Sequence, residues 1–501
     1  MRPQAHLIEN SGVASTGATG GHWLEQFGTK SLMFVLLHAP FALAAKFVSP
    51  LATAHGFLTI GLGVWFVWVR KSFGATVAVM AYIVGAEGFW RMTGAGLLWE
   101  FGKYSIAFLS LLGIVRQRTR PLSPQWLVYI ALMAPAALLT VLGSDFSRLH
   151  EHLSFNMSGP VCLGLAGTWM LQQGLTRGDG QRLLICLVAP LVCIASLTLY
   201  GVRVTEIQFG EGSSMSASGG FGPNQVAAAL ALGMVACFLL IANDRSTLVW
   251  KITLVGLMLW MGAQGLLTMS RSAIYYSVLG MLGGMVFLVR DPRRLLAVAA
   301  AFGVAGLVFN YVLAPKLDEF TDGALTRRYQ RKDLSGRETL MQGDLILFME
   351  HPLLGVGPGM AKALRKDLVG KIGYAHTEFT RMLSEHGAFG LVALIVMTST
   401  CVRGIFSQPA GWSRAVASSA VCYAYVFMSG SAMRMAIPAF LMALSGTQLG
   451  VLRGGGLAAA NPPMGAGQSG QRGGTVGRVR PAYRIASRAT VGTRRIWERR
   501  K

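Results

Sequence analysis

The sequence predicts an all-α polytopic membrane protein, and three observations carry that prediction. Only 13% of the 501 residues are charged and 52% are hydrophobic, about half the charge density of a soluble domain. The apolar runs are mostly 17–22 residues long, the length of a helix that crosses a bilayer and about twice that of a barrel strand. The charges gather between these runs. A soluble globular fold and an outer-membrane barrel are both excluded.

Taken in order, residues 1–30 form a cytoplasmic arm and residues 31–314 carry the first eleven spans, at about 31–50, 53–69, 72–90, 95–115, 126–146, 158–174, 183–201, 224–242, 248–267, 272–289 and 295–314. Residues 31–50 read as a span and not as a cleaved leader, because the leader-like Ala42-Leu43-Ala44 sits mid-run and only Lys30 is basic just before it. Residues 315–385 form a long polar loop, and residues 386–452 return as three further spans at 387–405, 414–433 and 435–452. About 12–14 transmembrane helices are expected. With the N-terminus inside, the short inner connections hold fourteen Lys/Arg and the short outer ones five. Both termini are then cytoplasmic and the long loop faces outward.

Residues 453–501 carry 11 Lys/Arg and a single acid, Glu498, and so supply ten of the 23 net positive charges. Gly- and Arg-rich sequence of this kind buries too little to fold and is drawn to anionic lipid, so a disordered cytoplasmic tail is expected. Stacking aromatics are limited to Tyr483 and Trp497, and no nucleic-acid partner is expected. The six cysteines, Cys162, Cys186, Cys193, Cys237, Cys401 and Cys422, all fall in apolar runs. They read as small hydrophobes and imply no disulfide set and no metal.

Two outward segments stand apart. Residues 201–223 lead into Phe221-Gly222-Pro223-Asn224-Gln225-Val226-Ala227, and the 71-residue loop 315–385 bears 11 basic and 10 acidic side chains. Apolar helical patterning at 339–349 and 376–385 predicts that the loop folds into a small helical cap. It carries Ser335-Gly336-Arg337, then Pro352-Leu353-Leu354-Gly355-Val356-Gly357-Pro358-Gly359, then His376-Thr377-Glu378-Phe379-Thr380-Arg381-Met382-Leu383. Ser270-Arg271-Ser272 lies between two apolar runs upstream.

This order resembles the O-antigen ligase and polymerase superfamily, in which an arginine-bearing helix, a glycine-rich turn and a histidine-led helix follow one another in a large outer loop. Phe221–Ala227 resembles the family's F-x-N-P-N-x-x-A element, and Ser270-Arg271-Ser272 its S-R-[GS] element. The matches cover about residues 220–390. Thr377 and Gly222 each replace an asparagine of the family pattern, and Glu378 adds an acid after the histidine, which leaves the acceptor class open. The resemblance implies a fold similar to C-type glycosyltransferases in the bacterial inner membrane, with a periplasmic active site. It implies transfer of a glycan from undecaprenyl diphosphate to an acceptor, either the lipopolysaccharide core or another glycan. Ligase is ranked ahead of polymerase, and a protein-directed oligosaccharyltransferase third. The rival of a different class is a secondary transporter, but the paired broken spans of transporters are not visible.

Such chemistry needs cations at the diphosphate and a base at the acceptor hydroxyl, with no cofactor and no metal. Arginine suits the first role because it stays charged and forks onto phosphate oxygens. Arg271, Arg337 and Arg203 are the diphosphate candidates. The bland alternatives are snorkelling for Arg271 and Arg203, and a solvated charge near a helix start for Arg337. Within the motif, His376 is the candidate base. Glu378 and Asn224 are secondary candidates, Glu378 as a second base or a solvated carboxylate. His351 and His386 read as structural or surface histidines. The Gly355–Gly359 run reads as a tight turn before it reads as an anion cradle, since Pro358 lacks an N–H. Glu87, Arg91, Glu100 and Lys103 form either a buried ion network or part of an acceptor path.

Overall fold

The computed structural model describes residues 19–117, 122–210, 212–243, 247–288, 292–330, 337–370 and 373–451, with the side chains of 19–27 and 294 left aside. The N-terminal arm to residue 18, Arg331, Lys332, Ser335 and Gly336 and the basic tail 453–501 lie outside the described residues.

The architecture is all-α and polytopic. Helix α1 (Thr19–Leu36) runs into α2 (His38–Phe47), and α3 (Ser49–Trp68) follows after one non-helical residue, Val48. Pro50 in the first turn of α3 has no N–H to return to the preceding turn, which ends α2 there. Next come α4 (Phe73–Met92), whose first turn is capped by Ser72, and α5 (Phe101–Arg116). Helices α6 (Pro124–Ala131) and α7 (Ala134–Gly143) are two halves of one stretch broken just before Pro135. Then α8 (Phe146–Met170) leads to α9 (Arg177–Val204), which opens on a capping box between Thr176 and Asp179.

Helices α10 (Pro223–Ile241), α11 (Leu248–Leu267) and α12 (Ser272–Leu288) form a tight trio. Helix α13 (Pro292–Val308) continues through one π turn into α14 (Ala314–Phe320), and little of this apolar stretch is buried. The segment read as the loop holds α15 (Ala324–Gln330), α16 (Arg337–Glu350) and α17 (Ala361–Val369). Last come α18 (Glu378–Ser407), α19 (Trp412–Ser431) and α20 (Ala436–Ser445).

Burial is deepest along α4, α9, α10 and α20, and α4 packs along α9 while α12 packs along α19. The α12–α19 approach depends on small residues: a Cβ at Gly283 would lie 3.2 Å from the Ser418 carbonyl, and one at Gly284 3.2 Å from that of Ala415. Among the described residues, nine helical stretches are long and apolar enough to cross a membrane, and all six cysteines are free.

Two expectations are corrected. The run 435–452 does not form a full span: α20 has 10 residues, a rise of about 15 Å against about 30 Å of hydrocarbon. Gly446, Thr447 and Gln448 end it, and Gln448–Leu449 then pairs in parallel with Gly174–Leu175. The Gln408 amide fastens this end, donating to the Thr447 carbonyl at 2.8 Å and accepting from Leu449 N–H at 2.9 Å. The span read at 95–115 begins only at Phe101, because Gly94, at φ 64°, starts a turn that occupies residues 93–100.

Candidate active site

The sequence elements around Asn224 and Arg271 meet at the starts of α10 and α12. Helix α11 ends at Leu267, and the chain reverses through Met269, held at φ 57°. Ser270 Oγ donates to Asn224 Oδ1 at 2.7 Å and lies 2.6 Å from Ser272 Oγ. Arg271 is fixed between these two serines, and its Nε and Nη2 are buried with no hydrogen-bond partner among the described residues. Buried guanidinium nitrogens without a partner are costly, so this arginine could receive an anion here. Helix α15 covers this turn through Arg328 Nε, which donates to the Met269 carbonyl at 3.1 Å, and the Tyr329 hydroxyl, 3.4 Å from the Ser270 carbonyl. Burial pushes the Tyr329 phenol above its ordinary pKa, against the opposing pull of Arg328 and Arg271. It is a neutral donor.

Arg337 is the first residue of α16 and is half-buried. A cation is disfavoured at a helix N-terminus, so helix stability does not account for it. It reaches towards α19: a Cβ on Gly430 would sit 3.6 Å from Arg337 Nη1 and would collide with the Tyr276 hydroxyl. Tyr276 is five residues beyond Arg271 on α12, about 7.5 Å of helix rise. Arg203 differs. It is exposed in the last turn of α9, where a cation suits the helix dipole, and it makes no hydrogen bond or ion pair among the described residues.

His376 lies in a bend two residues before α18 instead of opening the helix, so helical phase does not relate it to Glu378. It is half-buried, and its carbonyl accepts from Ala432 N–H at 3.1 Å. Thr377, in place of the family's asparagine, is the N-cap of α18 and accepts from Phe379 N–H at 3.2 Å. The solvated reading of Glu378 is overturned. Its carboxylate is buried, forms a forked ion pair with Arg381, and accepts from Met433 N–H at 3.1 Å. Helical spacing explains this: Arg381 is three residues beyond Glu378 and four before Glu385, which it meets at 2.7 Å.

The glycine-rich run is a turn whose N–H groups serve the protein itself. Gly355 donates to His351, Val356 to Ser384, Gly357 to the Glu385 carbonyl and Gly359 to Glu385 Oε1, all at 2.9–3.1 Å. Gly387, at φ 58° within α18, lets the helix kink against this turn, since a Cβ there would meet the Leu353 carbonyl at 2.6 Å. Beneath it, Asp344 binds Arg365, Thr380 Oγ1 at 2.8 Å and Ser384 Oγ at 3.1 Å, joining α16, α17 and α18. His386 is fully buried beside the turn.

The connection from α19 to α20 is held from both sides. Glu378 takes Met433 N–H, Lys103 Nζ donates to the Met433 carbonyl at 3.2 Å, and Glu87 Oε2 accepts from Ala436 N–H at 2.7 Å. Glu87, Arg91, Glu100 and Lys103 therefore form a buried ion network that braces non-helical backbone. A cavity of about 620 Å³ opens between this connection, the start of α8, α17 and the Tyr374–Glu378 segment. Arg434 lines it, with Nη2 donating to the Ala375 carbonyl at 2.8 Å. In the sequence Arg434 is one of the five Lys/Arg of the short outer connections, and nothing local marks it out, since Ala375, Tyr374 and Phe155 all lie more than 50 residues away in the chain. Among the described residues, no three His, Cys, Asp or Glu side chains group as a metal site.

Fold and site together define a multi-pass helical membrane protein with a cluster of cations where its loop helices meet the bundle. Residues 258–395 match the family model described as O-antigen ligase, which sets this stretch in the O-antigen ligase and polymerase superfamily. The match takes in Arg271, Arg337, the glycine turn, His376 and Glu378, and stops short of Asn224, Arg203 and Arg434. It supports glycan transfer of the ligase or polymerase type, with a lipid-linked glycan and a glycan acceptor as partners in general. No curated protein matches the chain.

Proposed function

We propose that the protein transfers a glycan from undecaprenyl diphosphate to a hydroxyl of the lipopolysaccharide core, as an O-antigen ligase at the outer face of the inner membrane. The observation that carries this reading is the half-buried Arg271, whose Nε and Nη2 are buried with no hydrogen-bond partner among the described residues, in the turn between Ser270 and Ser272 at the start of α12. Arg337, on the far side of Tyr276, is the second cation facing the diphosphate. His376 takes the proton of the acceptor hydroxyl as its oxygen attacks the anomeric carbon. The bond from that carbon to the diphosphate oxygen breaks, and undecaprenyl diphosphate leaves with its charge met by the two arginines. One displacement inverts the anomeric centre. Glu378 positions Arg381 and the Met433 backbone, and Asn224 positions the Arg271 turn. Arg203 is a headgroup contact.

His376→Ala, assayed for transfer at matched protein level, is expected to lose about 10²–10⁴-fold in rate. Wild-type turnover would remove His376 as the base. Glycans from a deletion strain test the acceptor: the ligase reading expects full-length polymer on the carrier and none on the core. Single repeat units capped onto the core would instead make the protein a polymerase, and unchanged glycans on both would remove either function.

A further inference from the structure

The large cavity beside the His376 segment has chemistry that the proposed transfer leaves unassigned. Two of its arginines are neutralised, Arg381 by Glu378 and Glu385, and Arg365 by Asp344. Arg434 is not: among the described residues no carboxylate lies within ion-pair distance, and its single hydrogen bond goes to the Ala375 carbonyl. Burial pushes its guanidinium down to about 10, with Arg381 and Arg337 acting in the same direction and Tyr374 and Glu378 against it. It therefore remains a cation at neutral pH, in a place where a cation alone is costly.

Aromatic surface lies beside it. The Phe155 and Tyr374 rings are 5.0 Å apart, Arg434 sits 5.4 Å from the Tyr374 centroid, and Lys362 Nζ lies 3.9 Å over the same ring. Asn156 and His152 add polar groups on the α8 wall. Glu151 accepts from the Tyr374 hydroxyl at 3.3 Å, and Asp367 lines the same cavity. Arg148, Lys362, Lys366 and Arg434 outnumber these two acids, so an aromatic surface among cations and hydrogen-bonding side chains fits a sugar that carries a negative substituent. The wall reaches Ala375 and Glu378, on either side of His376 and Thr377.

We propose that this cavity is the acceptor subsite for an anionic glycan, with the carboxylate or phosphate of one sugar held at Arg434 and its ring against Tyr374 and Phe155. This rests on glycan transfer at His376, so its test reads binding without turnover. Full-length protein in nanodiscs is titrated with an oligosaccharide ending in glucuronic acid, the same chain ending in glucose, and one ending in a sugar 6-phosphate. The charged probes are expected to bind wild type about tenfold or more tightly than the neutral one. Arg434→Gln is expected to remove the difference, Lys362→Gln to reduce it, and His376→Ala to leave it intact. Equal binding of charged and neutral probes by wild type would overturn the subsite. So would an undiminished preference in Arg434→Gln, or displacement of the probes by phosphatidylglycerol, which would make the site a headgroup contact. If Arg434→Gln does not fold, the wild-type comparison and Lys362→Gln decide. Charged-probe preference combined with normal turnover of His376→Ala would keep the subsite and remove the base.

Discussion

Arg381 and Arg434 line the same cavity under opposite arrangements. Arg381 is gripped by two carboxylates placed by helical spacing on its own helix, whereas Arg434 has one carbonyl from a distant segment. The same contrast separates Arg365, bound to Asp344, from Arg271, whose Nε and Nη2 have no hydrogen-bond partner among the described residues. The Arg365–Asp344 pair, with Thr380 and Ser384 on the same carboxylate, joins α16, α17 and α18. Arginines without a carboxylate partner cost desolvation with no ion pair to offset it, which is why an anion from the substrate is proposed for them. Counting positive charges in the sequence does not separate the two kinds.

The largest effect should come from breaking a pair. Asp344→Ala strands Arg365 in a buried place and is expected to cost about 3–5 kcal/mol, seen as a marked fall in the detergent melting temperature. A variant that melts like wild type would mean that the pair is not what holds the cap. Next in size are Arg271→Lys and Arg337→Lys. Each keeps the charge and loses the fork, and each should lower transfer about tenfold or more with the melting temperature unchanged. If either instead lowers melting and leaves transfer alone, that arginine belongs with the structural set. Arg203→Ala should change transfer by no more than about twofold, as an exposed residue with no hydrogen bond or ion pair among the described residues. A larger loss would bring Arg203 back as a diphosphate contact. Smallest of all should be the effect of excess chelator: turnover is expected to persist if, as proposed, arginines meet the diphosphate charge. Loss of turnover restored by Mg²⁺ or Mn²⁺ would place a metal beside them.

The sequence by itself determined the α class, the positions of most membrane helices and the order of the site elements. Apolar run length and short motifs are local properties, and Ser270-Arg271-Ser272, Arg337 and His376 can be read without knowing what lies across the bundle. The hydrogen bonds among Asn224, Ser270 and Ser272 joined motifs that the sequence offered only as separate matches. Other features were decided by contacts between distant residues. Run length alone made 435–452 a span, but turn residues and the pairing with Gly174–Leu175 cut it to a short helix. Glu378 read as a second base or a solvated carboxylate because nothing in its neighbourhood of the chain announces that the Met433 backbone donates to it. Arg434 was one more flanking charge until the fold brought Ala375, Tyr374 and Phe155 around it. Whether an arginine is paired depends on which carboxylates can reach it, and for Arg434 and Arg365 that is set by helix packing, a property of tertiary structure that residue type and spacing do not contain.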